Sequence, residues 1–340
     1  MRIFIYELIS AGVLGDDVPS SLCREGAAML RAVVEDFERV LGVKTLTLLA
    51  NDFPESIGRD CRRVGDADEP QAFRDLAVQA DAALIIAPEF DNLLDQRTGW
   101  AVAAGCRLLG CNHDAIRLTG DKLRLARWQR ARGIPTPATV TASTSGPAPD
   151  WFPCVLKPRH GAGSQATYLV PATGDWPNAL RQALAQGPAG GLIVQPRHRG
   201  QPVSVAFLIG RHQHLTTPGA TQMLSDDGRF QYLGGRAPLP LPWRERALIL
   251  GRRAVESVPG LLGYVGVDLI LGDAADGSDD VVIEINPRLT TSYIGLRQLT
   301  ETNLAKLWLR LWEGSRVSDP AWREQAIDFT ADGRTIQQLV

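Results

Sequence analysis

A lysine and several glycines follow one apolar segment closely enough to bind a phosphate group. Residues 153–158 read PCVLKP and residues 159–164 read RHGAGS. Glycines let backbone N–H groups approach an anion, and Lys157 at a strand end adds a point charge. A dinucleotide fingerprint is disfavoured because the next residues, 165–170, are typical of a strand instead of a helix, and no Gly-Lys-Ser/Thr of a Walker A loop occurs. A hairpin whose glycines only turn the chain remains the alternative.

Two further apolar segments end in oxygen-bearing side chains. Residues 263–268 read GYVGVD and residues 281–288 read VVIEINPR. Glu284 and Asn286 are two residues apart, so their side chains share one face of a strand. With Asp268 they form an oxygen set suited to Mg²⁺ or Mn²⁺, and Arg288 could brace phosphates with its planar guanidinium. Asp268 alone would more often be a solvent-facing strand end, but the 281–288 string favours the metal interpretation.

Other polar residues follow apolar segments and are candidates for contacting substrates: Glu7, Ser10, Glu89, Asn92, Arg288, Thr290 and Thr291. The first four fall at carboxyl ends of predicted strands, where open α/β sheets bind ligands. Glu7 or Glu89 could meet an ammonium group, although loop carboxylates are at least as often merely solvated. Arg288, Thr290 and Thr291 are the better candidates for contacting a substrate carboxylate.

The elements that must position these residues change in character along the chain. Apolar segments at 2–8, 43–49, 82–87 and 107–110 alternate with helical patterns, and this predicts a parallel sheet covered on both faces for residues 1–112. A helical pattern follows over 114–132. From residue 153 onward short strands with Gly and Pro turns predominate. The expected fold class is therefore α/β followed by α+β.

Composition limits the classes of function. The 340 residues include 36 Lys plus Arg and 38 Asp plus Glu, so the formal net charge is −2, which disfavours a general nucleic-acid binder. No apolar run is long enough to span a bilayer, and the N-terminus does not resemble a signal peptide. The five cysteines are an odd number without a zinc-like spacing, which favours a reducing compartment. We therefore expect a cytoplasmic protein without nucleic-acid or membrane partners.

These motifs together resemble the ATP-grasp superfamily. The resemblance rests on Lys122 in the string TGDK, on Lys157 with its glycine-rich loop, and on Asp268 with the 284–286 string EIN. It implies an N-terminal Rossmann-like domain over 1–112, a small ATP-grasp lobe over 113–196 and a large lobe over 197–340. It also implies an ADP-forming ligase that phosphorylates a carboxylate and joins it to an amine. ATP, Mg²⁺ or Mn²⁺, an amino acid and an amine are the implied ligands, and a homodimer is left open.

The resemblance also implies roles for individual residues. Lys122 and Lys157 would contact the ATP phosphates beneath the loop, and Arg288 would stabilise the transferring phosphoryl group. Asp268, Glu284 and Asn286 would hold the metal. The remaining nucleotide contacts would come from the loop, from the hinge between the lobes and from the strand beyond it: Gly161, Gly163, Ser164, Gln195, Pro196, Arg197, His198 and Ser204.

Two positions depart from the superfamily pattern. The hinge usually begins with an acidic pair, but residues 195–198 read QPRH. Pro202 stands where a glutamate for the ribose hydroxyls is expected. The sequence therefore predicts the residues that contact the phosphates more clearly than it predicts nucleotide affinity or base preference.

A narrower resemblance is to the tyramine–L-glutamate ligase family. It rests on residues 6–7 (YE), 25–26 (EG), 87–92 (APEFDN), 109–111 (LGC), 263–268 and 284–291 (EINPRLTT). It implies the γ-carboxylate of L-glutamate as acyl donor and tyramine or tyrosine as amine, in methanofuran-type cofactor biosynthesis. Another ATP-grasp amino-acid or peptide ligase, and a nucleotide-binding sensor without turnover, are the alternatives.

Overall fold

The N-terminal part of the chain forms a parallel sheet of five strands. The structure is a computed structural model that describes residues 1–15, 19–143, 148–187 and 190–337. The strands are β1 (Arg2–Glu7), β2 (Lys44–Ala50), β3 (Asp60–Val64), β4 (Ala82–Ile86) and β5 (Arg107–Leu108), in the order β3-β2-β1-β4-β5. Its helices are α1 (Ser20–Glu38), α2 (Glu69–Gln79) and α3 (Leu93–Ala103). The central strands β1 and β4 are almost wholly buried, which explains why both read as continuous apolar segments.

Two features of this region differ from the sequence-based expectation. The strand β3 has the sequence DCRRV and lies at the sheet edge with alternating exposure, so it carries no apolar run that would predict it. The single helical pattern over 114–132 is two helices, α4 (His113–Thr119) and α5 (Lys122–Arg130). They are separated because the Asp121 side chain accepts hydrogen bonds from the backbone N–H groups of Leu123 and Arg124, which starts a new helix.

A small antiparallel sheet follows. Its strands are β6 (Val140–Thr141), β7 (Cys154–Pro158), β8 (Tyr168–Val170) and β9 (Leu192–Pro196), in the order β6-β9-β7-β8. Helix α6 (Trp176–Ala185) packs on it, and the side chains between them form a core of their own. The predicted strand over 165–170 begins only at Tyr168, since residues 161–167 form a loop.

The third sheet has eight strands: β10 (Gln201–Ile209), β11 (His214–Thr216), β12 (Ala220–Leu224), β13 (Tyr232–Ala237), β14 (Gly263–Leu271), β15 (Val281–Asn286), β16 (Ile327–Thr330) and β17 (Thr335–Gln337). The order is β15-β14-β10-β12-β13-β16-β17, and β11 pairs with β10. The helices are α7 (Leu241–Glu256), α8 (Ser292–Leu296) and α9 (Leu304–Trp312). The two carboxylate-bearing strands, β14 and β15, are antiparallel neighbours in this sheet.

The first and third sheets are joined by buried polar contacts. Trp308 Nε1 donates to the Leu109 carbonyl at 3.0 Å, and Trp312 Nε1 donates to the Leu108 carbonyl at 2.7 Å. Arg297 forms a bidentate ion pair with Asp36 of α1, at 2.6 and 2.9 Å. Apolar clusters extend across the same boundary. In the described part of the chain, no helix has the length and apolarity that crossing a membrane requires.

Candidate active site

A cavity of about 590 Å³ brings together residues from all three sheet regions. Most of its lining comes from the second and third sheets, while Glu25 and Lys122 reach it from α1 and α5. The predicted site residues that line it are Lys122, Lys157, Gly161, Gly163, Ser164, Gln195, Pro196, Arg197, His198, Ser204, Asp268, Glu284, Asn286, Arg288, Thr290 and Thr291. Segments more than 100 residues apart in the sequence therefore meet in one place.

Two lysines mark one wall of this cavity. Lys157 is the fourth residue of β7 and is only 8% exposed, and burial lowers its pKa to about 8 with a further contribution from the charge of Lys122. Lys122 opens α5, donates to the Gly161 carbonyl at 2.7 Å and lies 3.3 Å from Glu284 Oε2. Two neighbouring cations in a buried wall are costly without an anion between them, so this wall suits phosphate.

The glycine-rich loop covers the cavity in an unusual backbone conformation. Gly163, Ser164 and Ala166 have φ values of 66°, 59° and 47°, which are left-handed conformations. Ser164 and Ala166 carry a Cβ, so these conformations are sterically costly and concentrate at functional loops. The Ser164 hydroxyl donates to the Phe230 carbonyl at 2.6 Å, which ties the loop to the segment between β12 and β13.

Carboxylates from two adjacent strands face each other in the opposite wall. Asp268 of β14 is paired in register with Glu284 of β15. The Asn286 amide donates to Asp268 Oδ2 at 3.0 Å, and the Gln222 amide of β12 donates to Asp268 Oδ1 at 2.9 Å. Burial raises the pKa of Asp268, and the charge of Glu284 raises it further. For Glu284, burial alone would raise the pKa, but Lys122 and Lys157 outweigh it and lower the pKa.

These donors fit a hard divalent cation. Among the described residues no group of three or more His, Cys, Asp or Glu side chains is arranged to hold a metal, so any cation here would use two carboxylates and amide oxygen. Such a mixed oxygen set is typical of Mg²⁺ and Mn²⁺, which complete their coordination with phosphate oxygens and water. The repulsion between Asp268 and Glu284 is the kind that a bound dication removes.

The predicted hinge also lines the cavity, but one of its polar side chains is already engaged. The Gln195 amide donates to Thr139 Oγ1 at 2.8 Å, and Gln195 is only 4% exposed. Burial lowers the pKa of His198, which favours its neutral form. Ser204 of β10 stands opposite Asp268 in register, close to the carboxylates instead of the hinge.

Arg288 is held by a bidentate ion pair. Its Nε and Nη2 donate to the two oxygens of Glu89 at 2.9 and 3.1 Å, and both side chains are almost buried. Glu89 and Asn92 line a second cavity of about 400 Å³ beside Asp121 and other residues of α4 and α5. The ion pair therefore separates the two cavities and connects the first sheet to the third.

Glu7 and Ser10 lie outside the described lining of both cavities. Glu7 is 2% exposed, and its carboxylate accepts hydrogen bonds from the Ser10 hydroxyl and from the backbone N–H groups of Ser10 and Ile9. Burial raises its pKa despite these bonds. The structure places this carboxylate where it fixes the loop after β1, and its contact with a substrate stays a prediction.

Sequence reasoning missed several polar lining residues, among them Gln222, Tyr232 and Glu25. Gln222 and Tyr232 lie on β12 and β13, strands that the sequence does not predict. Glu25 lies on α1 and is hydrogen-bonded by the Thr291 hydroxyl. The only sign of Glu25 in the sequence is its place in the 25–26 string, to which no role was attached.

Family models match most of the chain. A model described as the ATP-grasp domain matches residues 119–292, and one described as the pre ATP-grasp 3 domain matches residues 43–116. The first model spans the loop, both lysines and the strand carboxylates, so the matched region contains the cavity's charged walls.

Characterised relatives match at low identity. The tyramine–L-glutamate ligase of Methanocaldococcus fervens is 27% identical over 68% of this chain and 65% of its own length. That of Methanocaldococcus jannaschii is 26% identical, over 68% of this chain and 62% of its own length. The match therefore spans slightly less than two thirds of each relative.

Solved structures share the fold. A protein of the ATP-grasp superfamily from Archaeoglobus fulgidus has a TM-score of 0.72 and 23% identity, covering 97% of this chain and 92% of its own. The L-amino acid ligase from Bacillus licheniformis has a TM-score of 0.71 and 17% identity, covering 96% of this chain and 78% of its own. Both covered shares are high enough to include all three sheets.

Proposed function

Since this chain belongs to the ATP-grasp family, we propose that it is an ATP-dependent ligase that joins a carboxylate to an amine and forms ADP. The observation that supports this most is the single cavity in which two lysines, the glycine-rich loop, the hinge and the paired strand carboxylates meet. We assign residues 1–112 to a pre-ATP-grasp domain, 113–196 to the small lobe and 197–340 to the large lobe.

In this proposal the protein acts by positioning and by charge neutralisation. Lys122 and Lys157 bind the ATP phosphates beneath the loop, and the hinge residues 195–198 border the base. Asp268, Glu284 and Asn286 would hold Mg²⁺ or Mn²⁺, which would neutralise phosphate charge when bound. Arg288 keeps N–H donors beyond the two that bind Glu89, and these stabilise the phosphoryl group during transfer.

Two bond exchanges complete the proposed reaction. A substrate carboxylate oxygen attacks the γ-phosphorus, the bond to the β–γ bridging oxygen breaks, and ADP leaves. The amine nitrogen then attacks the acyl carbon, inorganic phosphate leaves, and the nitrogen releases its proton to solvent. No protein nucleophile is needed, in agreement with a cavity whose functional groups are cations, carboxylates, amides and hydroxyls.

We further propose that the acyl donor is L-glutamate, through its γ-carboxylate, and that the amine is tyramine or tyrosine. The names of the two relatives support this choice, as do the shared strings around Glu89 and Arg288. The corresponding process is the assembly of a methanofuran-type cofactor. Thr290, which lines the cavity beside Arg288, is the proposed contact for a substrate carboxylate, whereas the Thr291 hydroxyl already donates to Glu25.

The test is ADP release from MgATP with L-glutamate and a panel of amines that includes tyramine and tyrosine. We expect ADP only when glutamate and one aromatic amine are both present, together with an amide product of matching mass. ADP with other pairs would keep the ligase and refute this substrate choice. Nucleotide binding without ADP release for any pair would refute the ligase and favour a sensor.

A further inference from the structure

Among the described residues, one carboxylate of the large cavity, that of Glu25, has no ion-pair partner and lies outside the proposed metal set. We propose that Glu25 binds a primary ammonium group of a substrate there, an inference that rests on the proposed ligase function. We call this region, lined by Glu25, Tyr232, Thr290, Thr291 and Ser292, the ammonium end. The expected ligand is a substrate that carries a primary amine. This amine is either the α-amino group of the acyl donor or the amine that attacks the acyl phosphate.

The first argument is a difference in charge pairing among the acidic residues near the cavities. Glu284 is paired with Lys122, Glu89 with Arg288 and Asp121 with Arg159. Asp268 has no ion pair among the described residues either, but two amides donate to it and it belongs to the proposed metal set. Within the described part of the chain, no Lys, Arg or His nitrogen lies within ion-pair distance of Glu25, whose hydrogen-bond partner is the uncharged Thr291 hydroxyl. Glu25 thus presents to the cavity a negative charge that no cation of the described residues contacts directly. The charge of Arg288 acts on it from farther away, and the Arg288 guanidinium is itself paired with Glu89.

The second argument is that Glu25 is held in place by its helix. Its neighbour Gly26 packs directly on Glu7, and a Cβ at position 26 would come within 2.5 Å of the Glu7 carboxylate. This close approach fixes α1 against the loop after β1 and directs Glu25 toward the third sheet. Burial raises the pKa of Glu25, and a bound cation would offset that penalty.

The third argument is the set of groups around the ammonium end. An ammonium group has three N–H donors and no acceptor, so it needs several oxygen acceptors at once. The Thr290 and Ser292 hydroxyls lie 2.9 Å apart, and both residues line the cavity together with Tyr232 and Glu25. Arg288 is next to them in the lining and supplies the positive charge that a carboxylate or phosphoryl group requires.

The same contacts argue against the other two acidic candidates. The carboxylate of Glu7 accepts three hydrogen bonds from its own loop and does not reach the cavity lining. Both oxygens of Glu89 bond the Arg288 guanidinium. Neither Glu7 nor Glu89 therefore has a carboxylate oxygen as available to a ligand as that of Glu25.

The experiment compares ligands that differ only in the ammonium group. The full-length protein with MgADP is titrated calorimetrically with L-glutamate and glutarate, and with tyramine and 4-ethylphenol. Wild type, Glu25→Gln and Glu25→Asp are measured beside Glu35→Gln, a control on the same helix whose side chain is 44% exposed and paired with Arg297. Thermal melting of each variant checks that it is folded.

We expect wild type and Glu35→Gln to bind at least one amine-bearing ligand ~10- to 100-fold more tightly than its deaminated counterpart, the range for a hydrogen bond to a charged group. Glu25→Gln should lose this preference, and Glu25→Asp should retain part of it. A preference for glutamate over glutarate would identify the α-ammonium as the ligand, and one for tyramine over 4-ethylphenol the attacking amine.

Two results would overturn the proposal. One is a wild type that binds each pair of ligands equally, and the other is a preference that survives in Glu25→Gln. Because binding is measured without turnover, absence of ligase activity would refute the proposed reaction without deciding whether Glu25 holds an ammonium group.

Discussion

Buried charges in the large cavity are in unfavourable surroundings before any ligand enters. Lys157 has a lowered pKa because it is buried, and Asp268 has a raised pKa because it is buried and faces Glu284. Each shift means that the protein stabilises the charged form less than water does. Phosphate against the lysines and a dication between the carboxylates would both relieve this, so in the proposed function the unfavourable charges would contribute to selectivity for a metal–nucleotide complex.

The carboxylate pair gives a direct prediction. Asp268→Asn and Glu284→Gln keep the size of each side chain and remove one charge, so we expect kcat to fall roughly 100-fold or more, as for the loss of a major electrostatic group in an active site. Steady-state ADP release at several Mg²⁺ concentrations measures this. Asp276→Asn, on an exposed turn, is the control and should behave as wild type. Wild-type rates in both cavity variants would contradict the metal assignment.

Lys157 gives a prediction in which binding and stability move in opposite directions. Lys157→Met should weaken MgATP binding at least ~10-fold, since a charge-assisted phosphate contact is lost. It should also raise the melting temperature at pH 7 by roughly 2–4 °C, because a poorly solvated charge is removed. Calorimetry and thermal melting measure the two effects.

The stability difference should depend on pH. The pKa of Lys157 is about 8 in the folded protein against an ordinary 10.5, so between these values the unfolded chain binds more protons. Wild-type stability therefore rises with pH in this window relative to Lys157→Met, and the advantage of the variant should be largest below pH 8. A difference that stays constant from pH 7 to pH 10 would show that the Lys157 charge is not the cause.

Much of the candidate site follows from the sequence, for a physical reason. Asp268 and Glu284 lie on adjacent antiparallel strands whose geometry directs their side chains to one place, and Lys157 lies near the end of another apolar strand. Glu25 and Gln222 could not be assigned this way, because each lies on an element whose relation to those strands is set by packing between distant segments. The Glu89–Arg288 pair is similar, since its partners are 199 residues apart.

Helix α1 is the element whose position decides the shape of the ammonium end. Its glycine at position 26 is buried, and a Cβ there would come within 2.5 Å of the Glu7 carboxylate, which hydrogen bonds from Ser10 and Ile9 hold in place. A glycine inside a helix ordinarily costs up to about 1 kcal/mol relative to alanine. Here the close approach that it permits outweighs that cost, because it places α1 directly on the loop after β1.

Gly26→Ala should therefore destabilise the protein, the reverse of the usual effect in a helix. Thermal or denaturant unfolding should show a loss of ~1–3 kcal/mol, the range for overpacking. Gly99→Ala in α3 is the matched control, because the nearest atom to a Cβ there is at 3.4 Å, and it should be neutral or stabilising. Equal effects of the two substitutions would mean that α1 can shift away from Glu7 without cost.

Elements were predictable where burial leaves an apolar pattern and not elsewhere. Strand β4 is buried throughout and β1 is buried except for Arg2, whereas β3, β12 and β13 each contain exposed or partly exposed residues. Strands β3, β12 and β13 form backbone hydrogen bonds with neighbouring strands. A pattern of side chains in the sequence does not reveal such bonds. The sequence predicts a strand from residue 165, but residues 161–167 form a loop. Ser164 and Ala166 adopt left-handed conformations there, and because neither is a glycine the sequence does not indicate them.

Across the whole molecule, the second sheet is the most independent unit. Its core, which includes Leu156, Tyr168, Trp176 and Val194, is separate from the apolar clusters that the first and third sheets share. The loop contact from Ser164 to Phe230 and the bond from Leu169 N–H to the Gly228 carbonyl connect it to the third sheet. The sequence predicts that short strands with Gly and Pro turns begin near residue 153. It does not show which of the sheets share a hydrophobic core.

Amide hydrogen exchange should reflect this organisation. Residues 154–170 should exchange faster than β1, β4 and β14 in the free protein, because separate cores open independently. MgADP should slow their exchange, since the nucleotide would contact Lys157 and the loop. Exchange in Ser164→Ala, which lacks the bond to Phe230, should be faster still around the loop. Uniform exchange across the three sheets, unaffected by MgADP, would contradict an independent second sheet.

The tryptophan bonds between the first and third sheets have a consequence for biosynthesis. The Leu109 carbonyl is bound by Trp308, which lies 199 residues later in the chain. At synthesis rates of ~5–20 residues per second, Leu109 leaves the ribosome roughly 10–40 s before its partner. During that interval the edge of the N-terminal sheet is complete in sequence but has no partner helix. Until then water can solvate the Leu108 and Leu109 carbonyls, so the first sheet acquires its tryptophan bonds only after α9 has been translated.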